Sequence, residues 1–363
     1  MKPRQHVVCL PHTIVAKSSY CCAYTQKLVN YAKMMGDIYD LVYYAPEGPP
    51  VPGATLIPCL SDKRRQEIFG EDDQNRLYAW PRDDQTAEFN LNVIAALQKN
   101  IQPGEIILLS GGYTHFPVNT AFSQYQRVEP MCGYFGQMMT TFVGYESYSH
   151  KHQMYLRHNI ENERYYDRVI HPYLDLTEFP LLNQGKGKYL LVLSRLIERK
   201  GISTAADIAK AVGLPLWVAG GGAKHISPGV IITEDNTRIE CPGLKYCGAV
   251  APKERNELMA GAVATICATK FLEPGCNVMF ESLASGTPVI STDLGIFTEI
   301  LPERFRFHNL RDAVQAVKEI PTWRPSAMRD YVIANFSLDA SSKKFKKWFD
   351  DIETLKKDGW YTK

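Results

Sequence analysis

One stretch narrows the choice of fold more than any other. Val263 to Ala268 is a short apolar run, and Thr269 to Cys276 is a turn broken by Pro274-Gly275. Asn277 to Ser285 suits a short helix with Gly286 as its stop, and Pro288 to Thr292 is apolar again. Strand, turn, helix, strand is the unit of a doubly wound sheet. Gly275 lets the backbone come close to a ligand, and the uncommitted amides at a helix start attract an anion. Glu273 precedes the turn and Glu281 stands inside the helix, so a carboxylate on each side can hold hydroxyls beside that anion. An anion flanked by hydroxyls describes a nucleotide sugar. The same spacing also suits a strand–helix pair of any α/β domain, with Glu281 a solvated helix residue.

The chain around this stretch is long enough for two domains. It has 363 residues, 45% of them apolar and 22% charged, which is normal for a globular protein. A net charge of +2 gives no global argument for nucleic acid or an anionic membrane. The nine cysteines are scattered and form no C-x-x-C pair, so free thiols in a reducing cytosol are expected. The N-terminus lacks the pattern of a signal peptide, and no apolar run approaches bilayer length. A cytoplasmic protein is the expectation, a viral or phage protein in a host cytoplasm included.

Read in order, the chain repeats the same rhythm twice. Val7 to Leu10 predicts a strand, Tyr20 to Met35 a helix capped by Ser18 or Ser19, and Leu41 to Ala45 a second strand. Lys63-Arg64-Arg65 and Glu71-Asp72-Asp73 read as solvated faces. Ala87 to Asn100 predicts a helix, Ile106 to Leu109 a buried strand, and Val128 to Cys132 another. Leu181 to Lys188, with its Asn, Gln and two Gly, reads as a linker. The rhythm restarts with strands at Tyr189 to Ser194, Leu216 to Ala219 and Ile231 to Thr233, and helices at Ser203 to Val212 and Lys253 to Ala262. Asp339 to Leu355 predicts a last helix with Phe345, Trp348, Phe349 and Ile352 at helical spacing and four lysines between them. That helix can pack its aromatics on the first domain or, with its basic residues, touch a membrane surface.

Leu193 to Gly201 is the second informative stretch. Arg195 falls at a strand's carboxyl end and Lys200 just before a helix, and two cations there can clamp a diphosphate. Taken alone they suit two exposed basic residues equally well. Together, Arg195-x4-Lys200-Gly201, Glu273-x7-Glu281 and Ser285-Gly286-Thr287-Pro288-Val289 resemble the family-4 retaining glycosyltransferases of GT-B fold. Val169 to Phe179, Leu216 to Gly222 and Cys247 to Val250 match further segments of that family in order. The resemblance covers residues 169 to about 300 well and the N-terminal half in outline. Leu10-Pro11-His12-Thr13 and the Gly-Tyr-Phe-Gly and Tyr-Glu-Ser-Tyr segments resemble a subgroup common in phage and environmental sequences.

The resemblance implies an α/β, GT-B architecture: two doubly wound Rossmann-like domains facing a cleft, with the C-terminal helix crossing back. Residues 1–180 would form the acceptor-side domain with 339–363 packed on it, and 187–338 the donor domain. Arg195 and Lys200 would bind the donor pyrophosphate, Glu281 the ribose and Glu273 the transferred sugar. The amides of Gly275, Cys276, Asn277 and Val278 would face phosphate or sugar, and Tyr246 would lie near the base. No cofactor and no metal are implied; a UDP- or GDP-sugar would be the donor, and a glycan, lipid or other hydroxyl compound the acceptor. Retention is usually described as front-face attack, with the leaving phosphate helping to take the acceptor proton. The chain departs from the family where Gly275-Cys276 replaces a Phe-Gly pair. It departs again where Ala16-Lys17-Ser18-Ser19 replaces a Gly-Gly pair, and where no His follows the strand ending at Cys132. Lys17 can substitute for the lost amides, and His12, His115 and Tyr134 are candidates for the acceptor or sugar side. Other readings are a sugar-nucleotide epimerase or inverting GT-B enzyme, a phage-type DNA-base glycosyltransferase, and a degenerate nucleotide-sugar-binding module.

Overall fold

The structure, a computed structural model, describes residues 2–20, 22–71, 83–134, 136, 138–162, 164–183, 185 and 187–358. Asp72, Asp73 and the terminal residues 359–363 lie outside the described residues. Two compact units result. One comprises the described residues up to His171 together with the helix that starts at Leu338, and the other runs from Pro172 to Ser337.

The first unit is built on seven parallel strands: β1 (Arg4–Val8), β2 (Asp40–Pro46), β3 (Thr55–Leu60), β4 (Ile106–Leu109), β5 (Gln126–Cys132), β6 (Phe142–Tyr145) and β7 (Arg168–Val169). Their order is β3-β2-β1-β4-β5-β6-β7, so winding reverses between β1 and β4. All four residues of β4 are buried, as a central parallel strand covered on both faces requires. The Leu338–Asp358 helix lays Phe345, Trp348, Phe349 and Ile352 into this unit, each at most 2% exposed. Tyr31 meets Phe345 edge-on and Trp348 Nε1 donates to the Tyr166 carbonyl at 2.7 Å. The aromatic face is therefore committed to the unit's own core. Lys343, Lys346 and Lys347 pair along the outside with Asp339, Asp350 and Asp351 at i,i+4.

The second unit holds a parallel sheet ordered β13-β9-β8-β14-β15-β16. Its strands are β8 (Tyr189–Leu193), β9 (Leu216–Ala219), β13 (Lys245–Tyr246), β14 (Ala262–Cys267), β15 (Val289–Thr292) and β16 (Arg306–Phe307). A small antiparallel sheet of β10 (Ala223–Ser227), β11 (Val230–Thr233) and β12 (Arg238–Glu240) is inserted after β9. Winding reverses between β8 and β14. In open α/β sheets the crevice outside the carboxyl ends at such a reversal is where ligands bind. Among the described residues no helix is long and apolar enough to cross a membrane.

Four sequence expectations need correction. The first helix starts at Ala23 with Cys22 at its N-cap, and Ser19 Oγ instead donates to the Ile14 carbonyl within the preceding loop. Arg65 is not a solvated residue: it is 1% exposed, bonded to Asp62 and to the His12 carbonyl. The units change at His171/Pro172, so the described residues of 181–188 lie within the second unit and are not a linker between the two. Buried Asn183 donates to the carbonyls of Met259 and Ala262 and to Thr287 Oγ1, which binds this stretch to the second sheet. Finally, His115 is not an open loop residue but is fully buried.

Candidate functional site

In the second unit the loops that follow β8, β9, β13, β14 and β15 leave the same, carboxyl edge of one parallel sheet. Three of these strand ends carry the sequence candidates. Arg195 and Lys200 follow β8, Tyr246 ends β13, and Glu273 to Val278 follow β14. Because β8 and β14 are neighbours at the winding reversal, the first and last of these loops meet. Lys270 N donates to the Arg199 carbonyl at 2.9 Å. Gly201 fits this junction because it adopts φ 76° and because a Cβ there would stand 1.7 Å from the Ala268 carbonyl oxygen.

The junction brings Lys200 and Glu273 together. Lys200 Nζ donates to Glu273 Oε2 at 2.7 Å, with the carboxylate side chain only 7% exposed and the ammonium 23%. Phe271 lies beside them, 5.0 Å from Lys200 Nζ and 3.9 Å from the Arg199 guanidinium. The Glu273 backbone is held from the next loop: Ile296 N donates to its carbonyl at 2.9 Å. Gly295, at φ 61°, leaves no room for a Cβ against Glu273 N. Gly295 is a positioning residue that sequence reasoning missed; its signal was the loop Asp293-Leu294-Gly295 directly after a strand.

The turn ends in the Asn277–Ala284 helix. Cys276 is its N-cap and supplies no side-chain cap bond; Met279 N donates to the Cys276 carbonyl at 3.0 Å, and the amides of Asn277 and Val278 are the ones suited to another acceptor. Gly275, Cys276, Asn277 and Val278 are all half-buried. Cys276 Sγ lies 3.9 Å from Cys267 Sγ, and that contact together with burial drives the Cys267 thiol well above its ordinary range.

The remaining candidates have other partners. Arg195 reaches Glu234 at 3.1 Å, and both side chains are more than two-fifths exposed. An exposed pair of this kind contributes at most about 1 kcal/mol, so Arg195 is readily redirected to a stronger anion. Tyr246 donates its hydroxyl to the Gly220 carbonyl at 3.3 Å, and burial raises it. Glu281 stands on the helix, 13% exposed, 3.8 Å from Arg255. Burial raises the Glu281 carboxyl, Arg255 opposes that, and Glu178 adds to it.

In the first unit, the winding reversal lies between β1 and β4, where Ser110 Oγ donates to the Val8 carbonyl at 2.6 Å. His12 and His115 are on the two loops that leave it, yet neither is open. His115 is fully buried against Gly111, with its Nδ1 3.4 Å from Asn90 Oδ1, and burial brings it down to about 3. That removes it from the ligand-facing candidates. His12 is 6% exposed and its Nε2 lies 3.4 Å from Cys22 Sγ. Lys17 is exposed. Tyr134 is 48% exposed and stacks on Tyr24 with ring centroids 5.0 Å apart. Among the described residues no group of three or more His, Cys, Asp or Glu side chains is arranged as a metal site.

Two sheets with Rossmann-like winding, in two units, define the architecture as the GT-B fold of glycosyltransferases. Solved structures that share it include a sucrose-phosphate synthase from Thermosynechococcus elongatus, at TM-score 0.69 and 14% identity over 98% of this chain and 100% of that one. AviGT4, a glycosyltransferase involved in avilamycin A biosynthesis, matches at TM-score 0.65 and 16% identity over 96% of this chain and 97% of that one. HepE from Anabaena, solved with UDP and glucose, matches at TM-score 0.64 and 11% identity over 96% of this chain and 100% of its own. No family model matches the sequence, and no curated protein matches it significantly. At these identities the likeness establishes the fold alone.

Proposed function

We propose that the protein is a retaining glycosyltransferase that moves a sugar from a nucleoside-diphosphate sugar to a hydroxyl acceptor. The observation that carries this reading is the Lys200–Glu273 contact at the carboxyl ends of β8 and β14. A buried carboxylate and a helix start without a side-chain cap lie along one turn, a cation reaches that carboxylate from the neighbouring loop, and a second carboxylate, Glu281, stands further along the helix. HepE, which shares the fold, was solved with UDP and glucose.

In this reading the donor diphosphate lies at the start of the Asn277–Ala284 helix. Lys200 turns from Glu273 to the phosphate, and Arg195 exchanges Glu234 for it. The freed Glu273 accepts from hydroxyls of the transferred sugar, and Glu281 accepts from the ribose. Tyr246 lies near the base. The chemical demand is charge on the departing diphosphate, and Lys200, Arg195 and the helix amides are fixed before that charge develops. Neutralisation by side chains and amides does not call for a divalent metal. The acceptor attacks from the leaving-group face, and the diphosphate takes its proton, so no dedicated base is needed.

The test is a screen of nucleoside diphosphates by thermal shift, followed by incubation with the matching sugar donors. Release of free sugar or transfer with the anomeric configuration kept, read by NMR, supports the reading. An inverted anomer would assign the chain to inverting chemistry, and no turnover of any donor would leave it a binding module.

A further inference from the structure

Arg255 stands on the first turn of the Pro252–Gly261 helix with its side chain 16% exposed. The sequence places this residue in a helix and marks it in no other way. In the structure its guanidinium lies over the Phe179 ring, 4.3 Å from the centroid, and its Nη1 is 3.8 Å from Glu281 Oε2. That separation is too long for a hydrogen bond between the two groups. Arg255 Nε and Nη2 are buried and have no hydrogen-bond partner among the described residues. Buried donors of this kind call for an acceptor, because losing hydration without replacement is costly.

The surroundings hold the group in place. Asn256 Nδ2 donates to the Glu178 carbonyl at 2.8 Å, which fixes the segment that carries Phe179. Arg329, on the Pro325–Phe336 helix, donates to the Phe179 carbonyl and to the Ala284 carbonyl at the end of the helix that carries Glu281. Three elements therefore hold the ring, the guanidinium and the carboxylate in one arrangement. An arginine fork over an aromatic face, aimed at a carboxylate with donors to spare, is suited to a hydroxyl that both groups bind.

We propose that Arg255 is a further donor-site residue, which pairs with Glu281 and turns its unused N–H donors to the ribose oxygens of the nucleotide. This rests on the reading in which Glu281 accepts from the ribose. A carboxylate serves that role only while ionised. Among the described residues, the charged groups that face Glu281 are Arg255 from the Pro252–Gly261 helix and Glu178 from the segment before Phe179. Arg329 reaches only the carbonyl end of the Glu281 helix. Removing Arg255 leaves burial and Glu178 in control, so the carboxyl takes up a proton at higher pH than in the parent.

The experiment is calorimetric titration of UDP and, separately, GDP into the full chain and into Arg255→Leu, Arg255→Lys and Glu281→Gln, each from pH 5.5 to 8. The proposal predicts at least a tenfold loss of affinity in Arg255→Leu, larger at low pH than at high pH. Arg255→Lys, which keeps the charge, should restore the parent's pH profile and only part of the affinity. If Arg255→Leu does not fold, Arg255→Lys with parental affinity at every pH overturns the proposal. Parental affinity and pH profile in Arg255→Leu, beside weak binding in Glu281→Gln, overturns it and leaves the donor site standing. Parental binding in Glu281→Gln, or no binding of either nucleotide to the parent, removes the donor reading and the proposal with it.

Discussion

Lys200 Nζ lies 2.7 Å from Glu273 Oε2, although 73 residues separate them in the chain. The contact joins the loops after two adjacent strands, and it gives each group a counter-charge before any ligand arrives. Glu273→Gln should therefore release Lys200. The expected outcome is nucleoside-diphosphate affinity equal to or tighter than the parent's, with sugar transfer strongly reduced. Calorimetry beside a transfer assay separates the two effects, and a large loss of nucleotide binding in this variant would contradict the arrangement.

Lys27 and Glu146 form an ion pair in the first unit with side chains 9% and 6% exposed. Removing one partner of a buried pair leaves an uncompensated charge and costs about 3–5 kcal/mol. Lys27→Met should lower the urea midpoint accordingly. The double variant Lys27→Met/Glu146→Leu should recover most of that loss, because no buried charge remains. A double variant as unstable as the sum of the singles would contradict this account.

Among the described cysteines, Cys22 is set apart by its surroundings. Burial alone would raise it, but hydrogen bonds from His12 and Thr25 outweigh burial and bring it down to about 7. Burial pushes Cys59 up to about 12 and Cys9 and Cys132 well above their ordinary range. Alkylation of the native protein followed by mass spectrometry should label Cys22 with a midpoint near pH 7, ahead of these three. His12→Asn should move that midpoint upward.

His115 and His150 make the first unit sensitive to acid. Burial brings them down to about 3 and about 4 from the ordinary 6.5. Below pH 6.5 the unfolded chain takes up protons that the folded chain does not, so stability falls as pH falls. Asp167, pushed up to about 6 by burial, acts in the opposite sense between pH 6 and 3.8. The informative quantity is thus a difference: between pH 7 and 5 the Tm of His115→Asn should drop less than that of the parent.

Much of the fold was legible because parallel strands buried on both faces are continuous apolar runs. Ile106–Leu109 and Leu216–Ala219 were readable to the residue, and the Asn277–Ala284 helix nearly so. The direction in which a loop side chain turns was not legible. His115 follows a strand, as a ligand-facing residue would, but the close backbone of Gly111 and the amide of Asn90 draw it inward. Composition misled at 181–188, where a Gly- and Asn-rich stretch looked like a linker and Asn183 proved to be a buried hydrogen-bond donor. Arg255 gave no sequence signal, since its meaning depends on Phe179 and Glu281 coming to it from distant segments. Roles for Arg195, Lys200, Glu273 and Glu281 came from the ordered family resemblance; spacing alone left them open.

The central claim is a donor site built from Lys200, Glu273 and Glu281, and nucleotide binding tests it most directly. UDP and GDP are titrated into the full chain and into Lys200→Ala and Glu281→Ala. A charge-assisted hydrogen bond contributes about 1.5–3 kcal/mol. The account therefore predicts saturable binding of at least one of the two nucleotides and a loss of affinity of roughly 10- to 100-fold in each variant. Failure of both nucleotides to bind the parent, or parental affinity in both variants, would contradict it.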